Sequence, residues 1–355
     1  MKMVVFTMKI NNDRVGVISD LHLGVHSNSP NWHDIALKWA KWQCREFNKH
    51  NIADVIFCGD WHHNRNEISV STLQISADIL DIFSEFNIFI VVGNHDIFYK
   101  HRVDVNSLSI FKNRQNVHII DTVQTLTYNN KNITLCPWNT QIDDIPQSDV
   151  IFGHFEIETF KMNAFRVCDH GLKVSSLLRK SPLIVSGHFH TRHEKTYQAG
   201  TILYVGNPFE MDFGDMDNEK GYYILDLSTL EYEFFINAIS PKHKKTTLDN
   251  LVKHGNITQE VKDLFKNNIV KLSIDRNISP EDLNYLTAKL NALGPEALQL
   301  DYDITQRKEV SHNVDKDLSG IDMLQAIEEF INLIDVSNKA RVLNYTIDLY
   351  RRCSI

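Results

Sequence analysis

The chain has 355 residues, 43% of them hydrophobic and 23% charged, which suits a real core and either two domains or one large domain with an appendage. A formal net charge of -8 excludes a protein that coats nucleic acid by bulk positive charge, but leaves room for a local basic patch or for cations bound in one cleft. No apolar run is long enough to span a bilayer, and the apolar stretch in the opening MKMVVFTMKI is too short for a secretory signal, with no small-residue cleavage site after it.

These features predict a soluble, intracellular protein, cytoplasmic in a cell or in its host if the source is a bacteriophage. Through the first two-thirds of the chain, short apolar strands alternate with helical stretches. The runs RVGVISD (14–20), ADVIFCGD (53–60), IFIVVGNHD (88–96), SDVIFGH (148–154) and PLIVSGH (182–188) are each a β-branched or aromatic run ending in a polar cluster, and runs apolar on both faces suggest strands covered on both sides. Between them, Ile35, Trp39 and Trp42 share one helical face, and Val70, Leu73, Ala77 and Leu80 share another. This pattern predicts an α/β layered architecture.

Near residue 240 the texture changes. SPKHKKTTLDN (240–250) is polar and basic and reads as a linker. Residues 269–304 read as a small β-α-β module. IVKLSID is a strand, Ser279-Pro280-Glu281-Asp282 carries an N-cap, a first-turn proline and a capping-box acid, and Leu283, Leu286, Leu290 and Leu293 follow at helical spacing. Leu298, Leu300, Tyr302 and Ile304 then alternate with polar residues as in a half-exposed strand. Two short helices are expected over 320–350, with Leu324, Ile327, Ile331 and Ile334 on the first and Leu343, Ile347 and Tyr350 on the second. The expected domains are therefore 1–240, 241–310 and 311–355.

Five scattered cysteines (Cys44, Cys58, Cys136, Cys168, Cys353), odd in number and without a Cys-x-x-Cys pair, argue against a disulfide framework or a zinc ribbon. Seventeen histidines are more informative through their placement. Each apolar strand ends in metal-ligand types: Asp20-Leu21-His22; Gly59-Asp60 followed by His62 and His63; Gly93-Asn94-His95-Asp96; Gly153-His154; and Gly187-His188-Phe189-His190. Ligands of open α/β sheets bind at the carboxyl ends of strands, so these groups should converge in one cleft. On extended backbone, residues i and i+2 project to the same side. Asp20 with His22, and His188 with His190, would then face the cleft while Leu21 and Phe189 pack into its wall. The preceding glycines, Gly59, Gly93, Gly153 and Gly187, would allow a sharp turn and close backbone approach.

Any one of these signatures occurs by chance, and a lone histidine is more often structural or solvated. Five of them, each at the end of a strand, are not independent accidents. The set Asp20, His22, Asp60, Asn94, His154, His188 and His190 mixes imidazole, carboxylate and amide oxygen without thiolate. That suits two divalent cations roughly 3.5–4 Å apart, with one bridging carboxylate, acting on phosphorus. Such cations acidify a shared water and neutralise a phosphodiester. His26, His33, His101, His118, His170, His193, His243, His254 and His312 lack this context and read as surface or packing residues.

SDLHLG, GNHD and GHFH in this order resemble the calcineurin-like metallophosphoesterase superfamily, and within it the SbcD-type nucleases, relatives of the meiotic-recombination eleven nucleases and of bacteriophage recombination endonuclease subunits. YVGNPFEMDF (204–213) is similar to the segment that follows the last histidine motif in that group. The resemblance implies a β-sandwich flanked by helices, a small α+β DNA-capping domain, and terminal helices that dock on the coiled coil of an SbcC-like ABC-type ATPase. It implies that Asp20, His22, Asp60 and His190 hold one metal and Asp60, Asn94, His154 and His188 the other, with Asp60 bridging. His95 would face the scissile phosphate as general acid, and His63 would be a second phosphate-facing histidine, ahead of its neighbour His62. Two manganese ions are implied, while residue chemistry alone also admits magnesium, iron or zinc. The activity implied is a DNA nuclease, 3′-to-5′ exonuclease and single-strand endonuclease, working as a homodimer with its ATPase.

Lys38, Lys41 and Arg45 on one helical face, and Lys242, Lys244 and Lys245, are candidate DNA contacts, each also readable as solvated surface charge. The enzyme alternative is another dinuclear phosphoesterase, a protein phosphatase or cyclic-nucleotide phosphodiesterase. It is disfavoured because no Val-Asp-Arg-Gly follows Gly59-Asp60 and because the modules beyond 240 fit a small-substrate enzyme poorly. A metal-stabilised scaffold for the ATPase is the non-enzyme alternative, weakened by the complete ligand set with His95.

Overall fold

The computed structural model describes residues 9–162, 166–253, 257–276, 278–302, 323–333 and 338–353. The expectations for residues 1–8 and for His254, Ile304, His312 and Ile334 lie outside the described residues. The described chain divides into two units, Met1–Asp303 and Ile304–Ile355.

In the first unit, two six-stranded sheets form a sandwich. One runs in the order Tyr232–Ile236, Gly221–Asp226, Arg14–Ile18, Asp54–Phe57, Asn87–Val91, Val117–Ile120. The other runs His193–Tyr197, Gly200–Tyr204, Leu183–Gly187, Val150–His154, Lys131–Cys136, Gln124–Tyr128. Each contains four mutually parallel strands. Alternating side chains explain why these strands are apolar on both faces. Val15, Val17, Ile56, Phe89 and Val91 meet Leu135, Phe152, Val185 and Leu203 of the other sheet. Their alternates Val55, Phe57, Ile88 and Ile90 pack outward on Trp39, Phe47, Ile79 and Leu80 of two helices, Pro30–Lys49 and Val70–Ile82. Beneath the second sheet, Ile151, Ile184 and Ile202 are covered by Phe155, Phe160, Leu177 and Phe189.

The helix Pro30–Lys49 buries Ile35, Trp39 and Trp42 as its periodicity predicts. The helix Val70–Ile82, capped by Ser69 Oγ accepting from the Thr72 N–H, is turned from the expected face. Val70 is 84% and Leu73 36% exposed, while Thr72, Ser76, Ile79 and Leu80 are buried. Hydrogen bonds make the small polar residues acceptable inside: Trp61 Nε1 donates to Ser76 Oγ at 2.7 Å, and His33 Nε2 lies 3.0 Å from Thr72 Oγ1.

The expected linker is a strand. His243–Thr247 pairs in parallel with Ile269–Ile274, which pairs with Ala297–Tyr302 to complete a three-stranded sheet. An edge strand needs apolar residues on little of its surface, so HKKTT carries no periodic signal. Helices Leu248–Lys253, Gln259–Phe265 and Pro280–Asn291 cover this sheet around Phe265, Val270, Leu272 and Leu290. Ser279 Oγ accepts from the Asp282 N–H, as the capping pattern predicts. In the second unit, helices Met323–Leu333 and Lys339–Cys353 pack on each other, with Ile331 buried. Among the described residues no helix is long and apolar enough to cross a membrane.

Candidate metal centre

The parallel strands of both sheets end at one cleft, and the seven candidate donors meet there. Their route differs from the one expected. The backbone at Asp20, His22, Asp60 and His188 is left-handed, with φ of 54°, 47°, 59° and 96°, so neither Asp20 and His22 nor His188 and His190 share a face through extended i, i+2 geometry. Left-handed conformations cost L-residues on the order of 1 kcal/mol each and persist where surroundings impose them. Here strand ends clamp one another. The Asp20 N–H donates to Gly59 O (2.9 Å), the His22 N–H to Asp60 O (3.1 Å), the Leu23 N–H to Trp61 O (2.9 Å) and the His188 N–H to Asp20 Oδ1 (3.1 Å). Leu21 and Phe189 are buried in the wall, as expected. Gly187 permits the closest approach: a Cβ there would lie 2.1 Å from Ser19 Oγ and 2.2 Å from Cys58 O.

Two donor groups result. Asp20, His22 and His190 form one, and Asp60, His154 and His188 the other. Asp60 touches both, its Oδ2 lying 3.5 Å from His22 Nε2 and 3.3 Å from His154 Nε2. Asn94 Oδ1 lies 2.9 Å from both His154 Nε2 and His188 Nδ1, and His190 Nε2 lies 3.0 Å from His22 Nε2. The donor chemistry fits divalent cations: imidazole nitrogens, carboxylates and one amide oxygen converge, without a thiolate. The Nδ1–H of His154 donates to Cys58 O at 2.7 Å, which turns its Nε2 toward the cleft. Burial works against the Asp60 charge, but the imidazoles of His154, His22 and His95 outweigh it and hold the carboxyl well below the usual range. Burial also works against a charge on His154, yet Asp60 raises it to about 9. Burial holds His22 and His188 down. Of the two imidazoles beside Asp60, His154 is thus favoured as a cation and His22 as the neutral ring.

His95 and His63 flank the first group, the three rings of His22, His63 and His95 forming one cluster. His95 Nδ1 lies 2.6 Å from the His63 carbonyl oxygen, to which it donates, leaving Nε2 outside that bond. The His95 N–H donates to Asp60 Oδ1 at 2.8 Å. His63 is half-buried, with its ring stacked at 5.6 Å on that of His95. His62 is fully buried and turned to Ser107 Oγ (2.7 Å), away from the cluster, and burial depresses it to about 3.

Three supporting residues were not singled out by sequence. The Asp96 carboxylate accepts from the N–H groups of Gly93, Asp60, Trp61 and His62 at 2.9–3.3 Å, tying two strand ends together. Glu156 Oε1 sits 3.7 Å from His188 Nε2, behind the nitrogen that faces Asn94. Lys220, buried, donates to His190 O and to Asp215 Oδ1, both at 2.7 Å. Asp96 and Glu156 stand within two residues of a motif histidine, which is a usable signal. Lys220 is 30 positions from His190 and carries none.

Residues 13–198 match the family described as calcineurin-like phosphoesterase. The chain is 29% identical over 242 residues to exonuclease subunit 1 of Enterobacteria phage T4, covering 65% of this chain and 68% of that protein. Among solved structures, a novel archaeal phosphodiesterase is 16% identical, with a TM-score of 0.36, over 63% of this chain and 99% of that one. Phosphopantetheinyl hydrolase from Mycobacterium tuberculosis is 14% identical, with a TM-score of 0.33, over 55% and 89%.

Proposed function

The chain belongs to the calcineurin-like phosphoesterase family, and from that premise we propose that it is a manganese-dependent DNA nuclease of the SbcD type, acting in recombination, repair and replication. In this reading it is a 3′-to-5′ exonuclease on duplex DNA and a single-strand endonuclease. Asp20, His22, Asp60 and His190 hold one cation, and Asp60, Asn94, His154 and His188 hold the second. Bound there, the cations supply an acidified water and charge neutralisation at a phosphodiester.

The chain's own residues do the rest. His95, its Nδ1–H fixed on the His63 carbonyl, presents Nε2 to protonate the leaving oxygen. His63, stacked beside it, orients the phosphate. Asp96 holds the loops that carry Asp60 and Asn94. Residues 241–310 serve as a DNA-capping domain. The helices of 311–355 engage an SbcC-like coiled-coil ATPase, and the nuclease works as an intracellular homodimer.

What supports this reading most is that two donor groups from four strand ends, with Asn94 from a fifth, meet at Asp60. The resemblance to an exonuclease subunit supports a nucleic-acid substrate. Linear duplex DNA with manganese, compared with a phosphopeptide and a cyclic nucleotide, tests it. Faster turnover of either small substrate would overturn the nuclease reading.

A further inference from the structure

An aromatic row leads from the metal centre toward the three-stranded sheet. The turn after His22 carries three consecutive left-handed residues, His26, Ser27 and Asn28, with φ of 54°, 57° and 60°. Such a run among non-glycine residues is held in place from outside: Thr72 Oγ1 donates to Asn28 Oδ1 at 2.7 Å, and His26 Nε2 lies 2.8 Å from Met211 O. The turn begins at the candidate ligand itself, since the Val25 N–H donates to His22 O. It displays His26 as an exposed ring stacked on Trp32, with centroids 4.5 Å apart and planes 22° apart.

The row continues inward. Trp32 stacks at 6.1 Å on His243, the first residue of the edge strand, and His243 meets Phe213 edge-on at 4.7 Å. The ammonium groups of Lys271 and Lys245 stand 4.7 and 5.6 Å from the Phe213 centroid. Core packing explains His243, which is buried against Glu210. It does not explain why a strained turn beside the metal centre offers an aromatic face to solvent, or why two cations gather at the row's other end.

We propose that the exposed end of this row starts a track for an unpaired strand of nucleic acid, with His26 stacking on the base next to the scissile phosphate, the more buried rings of Trp32 and His243 bracing it, and Lys245 and Lys271 meeting the backbone farther along. Single-strand binders combine these two elements: aromatic faces that accept any base and cations that follow the phosphates. The inference rests on the nuclease reading and adds the path of the unpaired strand.

The test uses the full chain with His26→Asn, which tolerates the left-handed backbone but removes the ring, and with Lys271→Gln. Binding of a short fluorescein-labelled single-stranded oligonucleotide is followed by anisotropy in chelator. Turnover of bis(p-nitrophenyl) phosphate, whose nitrophenyl rings stack on aromatic faces as bases do, is followed with manganese at saturating substrate, where such a binding contact drops out of the rate. His26→Asn should weaken oligonucleotide binding about tenfold and leave bis(p-nitrophenyl) phosphate turnover unchanged, and Lys271→Gln should weaken binding with a shallower salt dependence. Equal oligonucleotide affinity in wild type and both variants overturns the track, as does a parallel loss of bis(p-nitrophenyl) phosphate turnover, which would make His26 part of the metal centre. A wild-type protein that hydrolyses bis(p-nitrophenyl) phosphate but never cuts DNA refutes the nuclease reading instead, and the track falls with it.

Discussion

Replacing Asp96 by Asn separates the geometry of the centre from its stability. The buried carboxylate receives four backbone N–H groups, three on Oδ2 and one, from His62, on Oδ1. Even so, burial first and the Asp60 charge second push it up from 3.8 to about 6, which is on the order of 3 kcal/mol against the ionised form at neutral pH. Asn escapes that penalty. It also turns an NH₂ toward the His62 N–H, and an unmet buried donor costs about 1–3 kcal/mol. The two effects nearly cancel, so urea unfolding in chelator should place Asp96→Asn within ~2 kcal/mol of wild type. The pH dependence should differ. A carboxyl whose folded value lies above its unfolded one binds its proton first in the folded state, so wild type gains stability as pH falls from about 6 toward 4, and Asp96→Asn lacks that gain. Divalent-ion affinity, measured by calorimetry, should fall about tenfold, because the loop bearing Asp60 keeps its bonds at Asp60 and Trp61 but loses the one at His62. A loss of several kcal/mol at neutral pH, identical slopes below pH 6, or unchanged metal affinity would each refute this account of Asp96.

His95→Asn should keep cation and DNA binding but cut about 10²–10⁴-fold more slowly, the usual worth of a positioned acid; cleavage at the wild-type rate would remove His95 from the chemistry. Gly187→Ala would force the added methyl off Ser19 Oγ and Cys58 O, shifting the His188–His190 turn. We expect ~1–3 kcal/mol of lost stability and weaker metal binding, checked by urea midpoint and calorimetry. Chelator should abolish phosphodiesterase activity. Manganese at 100 times its dissociation constant should raise unfolding free energy by ~2.7 kcal/mol, a gain that Asp60→Asn loses and that thermal scans at graded metal concentrations would follow.

The candidate donor set was legible because few residue types at strand ends suit an ion, and that restriction is local in sequence. Asp20, His22, Asp60, Asn94, His154, His188 and His190 each follow an apolar run within a few positions, and the structure gathers all seven. Less of the framework could be read. Gln124–Tyr128 and His193–Tyr197 are half-exposed edge strands without a continuous apolar run, and the strand His243–Thr247 looks like a linker because an edge needs little burial. The helix Val70–Ile82 hid its inner face because Thr72 and Ser76 are tolerated there only through partners, His33 and Trp61, that lie elsewhere in the sequence.

Backbone conformation at the donors was the least visible feature and the most consequential. Four of the seven donors are left-handed, and nothing in the letters Asp-x-His or Gly-Asp announces that. Strain of this kind survives only where bonds from other segments make every relaxed alternative worse. The bonds that do so join Asp20 to Gly59, His22 to Asp60 and His188 to Asp20, so each donor's backbone is fixed by the segment that carries another donor. A centre built this way resists piecemeal adjustment. Loosening one strand end releases its neighbour, which is why Asp96 and Gly187, neither of them a candidate donor, should also govern metal affinity.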